Sequence, residues 1–205
     1  LMQRDFYNLI FFTGIAAIIC AWLTIAISIH FNPWFRINVN ALSDLGGGNF
    51  ISNGHPAPTY PFIYNGGLMV TALLVFSFSV LSISHVNSKV EIMGLSFFII
   101  SALFLALIGI YHEGTYPHAF VSIWFFILSS ISFVTIGIGM YLVGDKKFGI
   151  TIILIILASW IVYSSVRWGS VAEGEVFGIS VIDIVVSIYL ANLAIVRAKK
   201  VRLKT

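Results

Sequence analysis

Charge is scarce in this sequence. Asp, Glu, Lys and Arg make up 9% of its 205 residues, where a soluble domain carries about 25%. Hydrophobic residues make up 59%, and mean hydropathy is +1.01. One buried core could not absorb that excess, because a chain of this size leaves about 30% of its surface exposed. The surrounding medium must be lipid, which excludes a soluble enzyme, a nucleic-acid module and a disordered chain. Cysteine is nearly absent too. The single Cys20 rules out an internal disulfide and any cysteine-based metal cluster. The sequence also lacks the ~10-residue alternating strands of a membrane barrel, repeats at a fixed period and low-complexity tracts. A formal charge of +3 and a pI near 9.1 do not indicate nucleic acid, since the basic residues stand at the ends of apolar runs.

What is present is six such runs, at 6–29, 62–84, 92–111, 119–144, 148–166 and 176–196. An apolar stretch of about 18 residues or more crosses a ~30 Å hydrocarbon layer as a helix, and backbone groups in lipid need internal partners. The sequence therefore predicts an all-α, polytopic bundle of six transmembrane helices. It reads as one domain over residues 1–205, multi-pass in the cell membrane. The first run is too long for a signal peptide and lacks a small-x-small cleavage site, so it reads as a retained span.

Orientation follows from the basic residues. Arg4, Lys89, Lys146, Lys147, Arg197, Lys199, Lys200, Arg202 and Lys204 fall on one side, and only Arg36 and Arg167 on the other. Both termini are thus expected in the cytoplasm, with the loop 30–61 outside. The basic tail reads as a topology anchor, drawn to anionic headgroups by about 1 kcal/mol per residue.

Most remaining polar chemistry falls on the outer side: Asp44, Glu113, Glu173, Glu175, His30, His55, His112 and His118. The loop 30–61, broken by Gly46, Gly47, Gly48, Pro56 and Pro58, has a length that often carries function. His112, Glu113 and His118 bring two imidazoles and a carboxylate together. Zinc wants three or four ligands in fixed geometry, so Asp44 or Glu175 would have to complete a metal site. The simpler reading is a hydrated loop whose histidines bond to backbone; acid–base or headgroup contact is a third. No cofactor is expected. All five histidines lie at or beyond span ends, which argues against a bis-histidine haem. Neither an inverted repeat nor paired interrupted helices suggest a transporter.

Two polar stripes run within the spans: His118, Ser122, Ser129 and Ser132 on helix four, and Ser180, Asp183 and Ser187 on helix six. Such stripes face protein, where they act as interhelical glue or line a site. Asp183 costs about 2.5–3.5 kcal/mol at membrane depth. It is expected to face the bundle and to pair with Arg167 or a serine of a neighbouring helix.

Asn40-Ala41-Leu42-Ser43-Asp44-Leu45-Gly46, followed by Phe62-Ile63-Tyr64-Asn65-Gly66-Gly67-Leu68, resembles a signature of the domain-of-unknown-function 998 family. Leu107-Ile108-Gly109-Ile110-Tyr111-His112-Glu113, then Pro117-His118-Ala119, resembles its second signature, a Gly-x-x-Pro-Glu turn before a helix-opening histidine. Glu175, placed just ahead of helix six, is similar to a glutamate of that family. His112 departs from the pattern by standing where proline is expected, and the outer loop is longer than usual. The resemblance implies a six-helix membrane protein and no particular activity.

Two functional readings follow. In the first, an outward-facing polar pocket binds a lipid headgroup or small amphiphile, with or without catalysis. Asp44, His118 and Glu175 would converge there between helices two, four and six as the candidate catalytic set. His118 would be the general acid or base, since an imidazole pKa near 6.5 suits proton transfer. Ser43, Asn65, His112, Arg167 and Asp183 are the candidate binding residues. In the second, the chain is a non-catalytic accessory subunit of a larger membrane complex. The partners expected are membrane lipids or other membrane subunits, and no nucleic acid.

Overall fold

The computed structural model describes the backbone of residues 2–202 and the side chains of residues 6–195. The side chains of Arg4, Arg197, Lys199, Lys200, Arg202 and Lys204, which enter the orientation argument, lie outside the described residues. Six helices follow in order: α1 (Met2–Phe31), α2 (Pro61–Ile83), α3 (Lys89–Ile110), α4 (His118–Leu142), α5 (Lys146–Ser165) and α6 (Val171–Arg202). A short 3₁₀ turn, Leu42–Leu45, lies in the connection between α1 and α2. Each of the six is long and apolar enough to cross a membrane, and the chain is a multi-pass membrane protein.

Helix ends are set by local chemistry. Pro61 opens α2, where its missing N–H costs nothing. The Ser88 side chain accepts the Glu91 N–H at 3.3 Å and caps α3. The beginning of α6 corrects the expected boundary. Ser170 Oγ accepts the Glu173 N–H at 3.2 Å, and the Glu173 carboxylate accepts the Gly169 N–H at 2.7 Å. This cap of capping-box type starts α6 at Val171, five residues before the apolar run. Glu175 is therefore a helical residue rather than one just ahead of the helix.

Helices α1 to α4 pack each against the next and α5 packs on α4, while α6 meets α5 on one side and α1 on the other. Lipid supplies no hydrophobic force between helices, so close backbone approach through small residues decides which pairs pack tightly. A Cβ at Gly94 of α3 would stand 2.7 Å from the Ile136 backbone nitrogen of α4. At Gly109 of α3 it would stand 2.5 Å from the Asn65 carbonyl oxygen of α2. The neighbours of Gly174 and Gly178 on α6 are instead aromatic side chains, Tyr163 and Phe126. Held off by those rings, α6 borders open space on two sides.

The serine stripes have different fates. Ser129 lies 2.6 Å from Ser101 of α3, and Ser132 donates to the Gly94 carbonyl at 2.8 Å, so this stripe joins α3 to α4. Ser180 and Ser187 donate to Val176 and Asp183 carbonyls of their own helix. The α6 serines therefore do not bridge helices.

Candidate functional site

The loop between α1 and α2 folds back over one end of the bundle. The buried Asn32 clamps its base, donating to the Ser28 and Thr59 carbonyls at 2.8 and 3.2 Å and accepting the Thr59 N–H at 2.6 Å. Ala172 at the start of α6 donates its N–H to the Asn40 carbonyl at 3.0 Å. Asn65 of α2 donates to the Gly46 carbonyl at 2.9 Å. These anchors fix the 3₁₀ turn above the helix ends.

Two consecutive residues of that turn reach other parts of the chain, and the third braces the loop itself. The Leu42 N–H donates to the Glu175 carboxylate of α6 at 2.6 Å. The Ser43 hydroxyl donates to Glu113, before α4, at 3.1 Å. Asp44 turns into its own loop: it accepts the Ala41 N–H at 2.9 Å and the Asn40 and Asn53 amides at 3.3 Å, and lies 3.1 Å from the imidazole of His55. The His55 ring in turn stacks on Trp34, centroids 4.7 Å apart.

Glu113 joins the two loops. Beside the Ser43 bond, it accepts from Asn53 at 3.1 Å and pairs with the His118 imidazole at 2.9 Å. The hydrogen bond from His118 outweighs partial burial and, with those from Asn53 and Ser43, holds the Glu113 carboxyl down at about 2. The second ring nitrogen of His118 donates to the Tyr111 carbonyl at 2.7 Å. Ser122, one turn on, lies 3.5 Å from the nitrogen that already faces Glu113. Both ring nitrogens of His118 are therefore engaged within the chain, one at Glu113 and the other at the Tyr111 carbonyl.

Below the turn, a cavity of about 90 Å³ lies between α1, α2, α3, α4 and α6. One water requires roughly 10–15 Å³ by this measure, so the space is about six to nine waters, or one slim chain. Ser43, Tyr64 and Glu175 line its upper end, while Phe78, Phe98 and Val186 line its lower end. Asp183 lines it as well, its carboxylate accepting the Trp22 indole N–H at 2.7 Å. A wider cleft of about 380 Å³ lies on the other side of α6, against α4 and α5.

The candidates are thus sorted. Asp44, His118 and Glu175 gather around one turn without touching each other, and the cavity beneath draws on α1 and α3 as well as α2, α4 and α6. Ser43 and Asp183 line that cavity, and Asn65 positions the turn. The expected partner of Asp183 is corrected: it is Trp22 of α1, because Arg167 stands exposed beyond the end of α5. His112 is exposed, its ring on the Glu113 carbonyl at 2.9 Å. Among the described residues no three His, Cys, Asp or Glu side chains are grouped to hold a metal ion. Sequence reasoning did not select Trp22, Tyr64 or His55, and it weighed Glu113 only as a metal ligand beside His112 and His118. Glu113 carried a signal, since a carboxylate five residues before a helix-opening histidine can fold back onto it.

A family model described as "Protein of unknown function (DUF998)" matches residues 15–192. No curated protein and no solved structure matches the chain.

Proposed function

The chain belongs to the DUF998 family, and from that premise we propose that it is a membrane-embedded binding module, its polar pocket opening outward and taking the head of a lipid or small amphiphile. The observation that carries this reading is the graded lining of the bundle cavity. Its upper end has Ser43, Tyr64 and Glu175, and its lower end has Phe78, Phe98 and Val186. A ligand with one polar end and a hydrocarbon body matches that gradient, as apolar pockets with a few placed polar groups generally do.

The 3₁₀ turn acts as the roof. Glu175 and the Glu113–His118 pair hold it from below through Leu42 and Ser43, so the pocket's polar end is preorganised. With both ring nitrogens of His118 engaged, binding is favoured over acid–base catalysis at this residue.

Extraction in a mild non-ionic detergent followed by native mass spectrometry tests the reading. The expected result is a chain that retains one small amphiphile. A bare chain accompanied by a stoichiometric protein partner would overturn it in favour of the accessory-subunit reading.

A further inference from the structure

The ionisable side chains that line the bundle cavity are all acids or phenols: Tyr64, Glu175 and Asp183, with no Lys, Arg or His among them. Each carboxylate has one oxygen engaged within the chain. Glu175 accepts the Leu42 N–H and Asp183 accepts the Trp22 N–H. The second oxygen of each has no donor among the described residues. The Tyr64 hydroxyl also has no hydrogen-bond partner among them, although Tyr64 is only 6% exposed. None of these three oxygens is sealed inside protein, and all three lie on residues that line the cavity, so they are open to a ligand that supplies hydrogen-bond donors.

Charge narrows the class further. Glu175 and Asp183 lie eight positions apart on α6, about 12 Å along the axis at 1.5 Å per residue, and both lie on the wall facing the cavity. An anionic head, whether carboxylate or phosphate, would meet two acids and no cation on the cavity wall, the nearby His118 being paired with Glu113. An ammonium head would meet Glu175 and Tyr64 at the upper end. Between and below the acids the wall is apolar, with Ile179, Ile182 and Val186 on α6 and Phe78 and Phe98 opposite. The volume suits one hydrocarbon chain rather than the paired chains of a diacyl lipid.

We propose that this cavity binds a single-chain aliphatic amine, its ammonium between Glu175 and Tyr64 and its chain directed toward Phe78 and Phe98. This rests on the binding reading above and names its ligand class. The cleft beyond α6 adjoins the cavity. Phe126, Glu175 and Ile182 line both the cleft and the cavity, so these side chains form the partition between them.

Photoreactive alkyl probes of one chain length, bearing an amine, an alcohol or a carboxylate head and a terminal diazirine, test it in membranes at pH 7. Labelled positions are mapped by peptide mass spectrometry. The amine is expected to label cavity positions such as Val75, Phe78 and Val186 at least about tenfold more than the carboxylate, the worth of one charge-assisted hydrogen bond. Glu175→Gln, which keeps an acceptor for Leu42, and Tyr64→Phe should each narrow that ratio. Equal interior labelling by all three heads, or a ratio unmoved by Glu175→Gln, would overturn the amine assignment and leave the binding reading standing. If none of the probes labels the interior, both fall together.

Discussion

Glu113 and His118 form an ion pair at 2.9 Å across the start of α4. The pair does more than close its own loop. Ser43 and Asn53 of the longer loop donate to the same carboxylate at 3.1 Å, so one side chain ties together two connections that lie far apart in sequence. Because Ser43 also lines the bundle cavity, the ion pair and the cavity roof belong to one structure.

That coupling makes a pH prediction. The Glu113 carboxyl is held at about 2, below its ordinary 4.5. A group depressed in the folded state contributes stability that is present above its unfolded value and lost as pH falls through the folded one. Thermal stability in detergent should therefore decline from about pH 4.5 to about pH 2. Glu113→Gln should lower stability at pH 7 and flatten the decline across that window. A wild-type profile identical to that of the variant would contradict the role given to Glu113.

Asp183 and Trp22 predict a contrast between two substitutions. Asp183→Asn keeps an acceptor for the indole N–H and should be tolerated. Asp183→Leu leaves that N–H without a partner and should cost about 1–3 kcal/mol. Adding Trp22→Phe to Asp183→Leu should recover part of the loss. Melting of wild type, Asp183→Leu, Trp22→Phe and the double variant in one detergent gives the cycle, and additive single effects would mean that the contact contributes nothing.

Glycine positions predict which helix contacts are tight. A Cβ at Gly109 would stand 2.5 Å from the backbone oxygen of Asn65, whereas at Gly66 nothing lies within 4 Å. Gly109→Ala should destabilise by about 1–3 kcal/mol, the usual cost of overpacking. Gly66→Ala should be neutral or stabilising by up to about 1 kcal/mol, through helix propensity. Comparable thermal shifts for the two would show that α2 and α3 do not approach as closely as described.

Orientation is open to direct labelling. In a Cys20→Ser background, Ser52→Cys should react with a membrane-impermeant maleimide on intact cells, and Lys146→Cys should not. The reverse pattern would place the cavity roof on the cytoplasmic side.

The sequence by itself determined the six spans and the end of the bundle at which the polar groups collect. Both are properties of local composition: an uncharged run must be helical in lipid whatever its neighbours do. The stripe from Ser129 to Ser132 was legible for the same reason, since helical spacing puts those residues on one face. The start of α6 was written in Ser170 and Glu173 but is invisible to hydropathy, because a capped first turn need not be apolar. Only the tertiary structure decided which polar groups meet. Leu42 and Glu175 are separated by 133 positions, and Trp22 and Asp183 by 161. Those pairings depend on how the loop folds back over the helix ends and on how far each helix stands from the next. Glycines at the α2–α3 and α3–α4 contacts let backbones touch, while aromatic rings hold α6 away. That difference in spacing, set by side-chain volume between helices, creates the cavity.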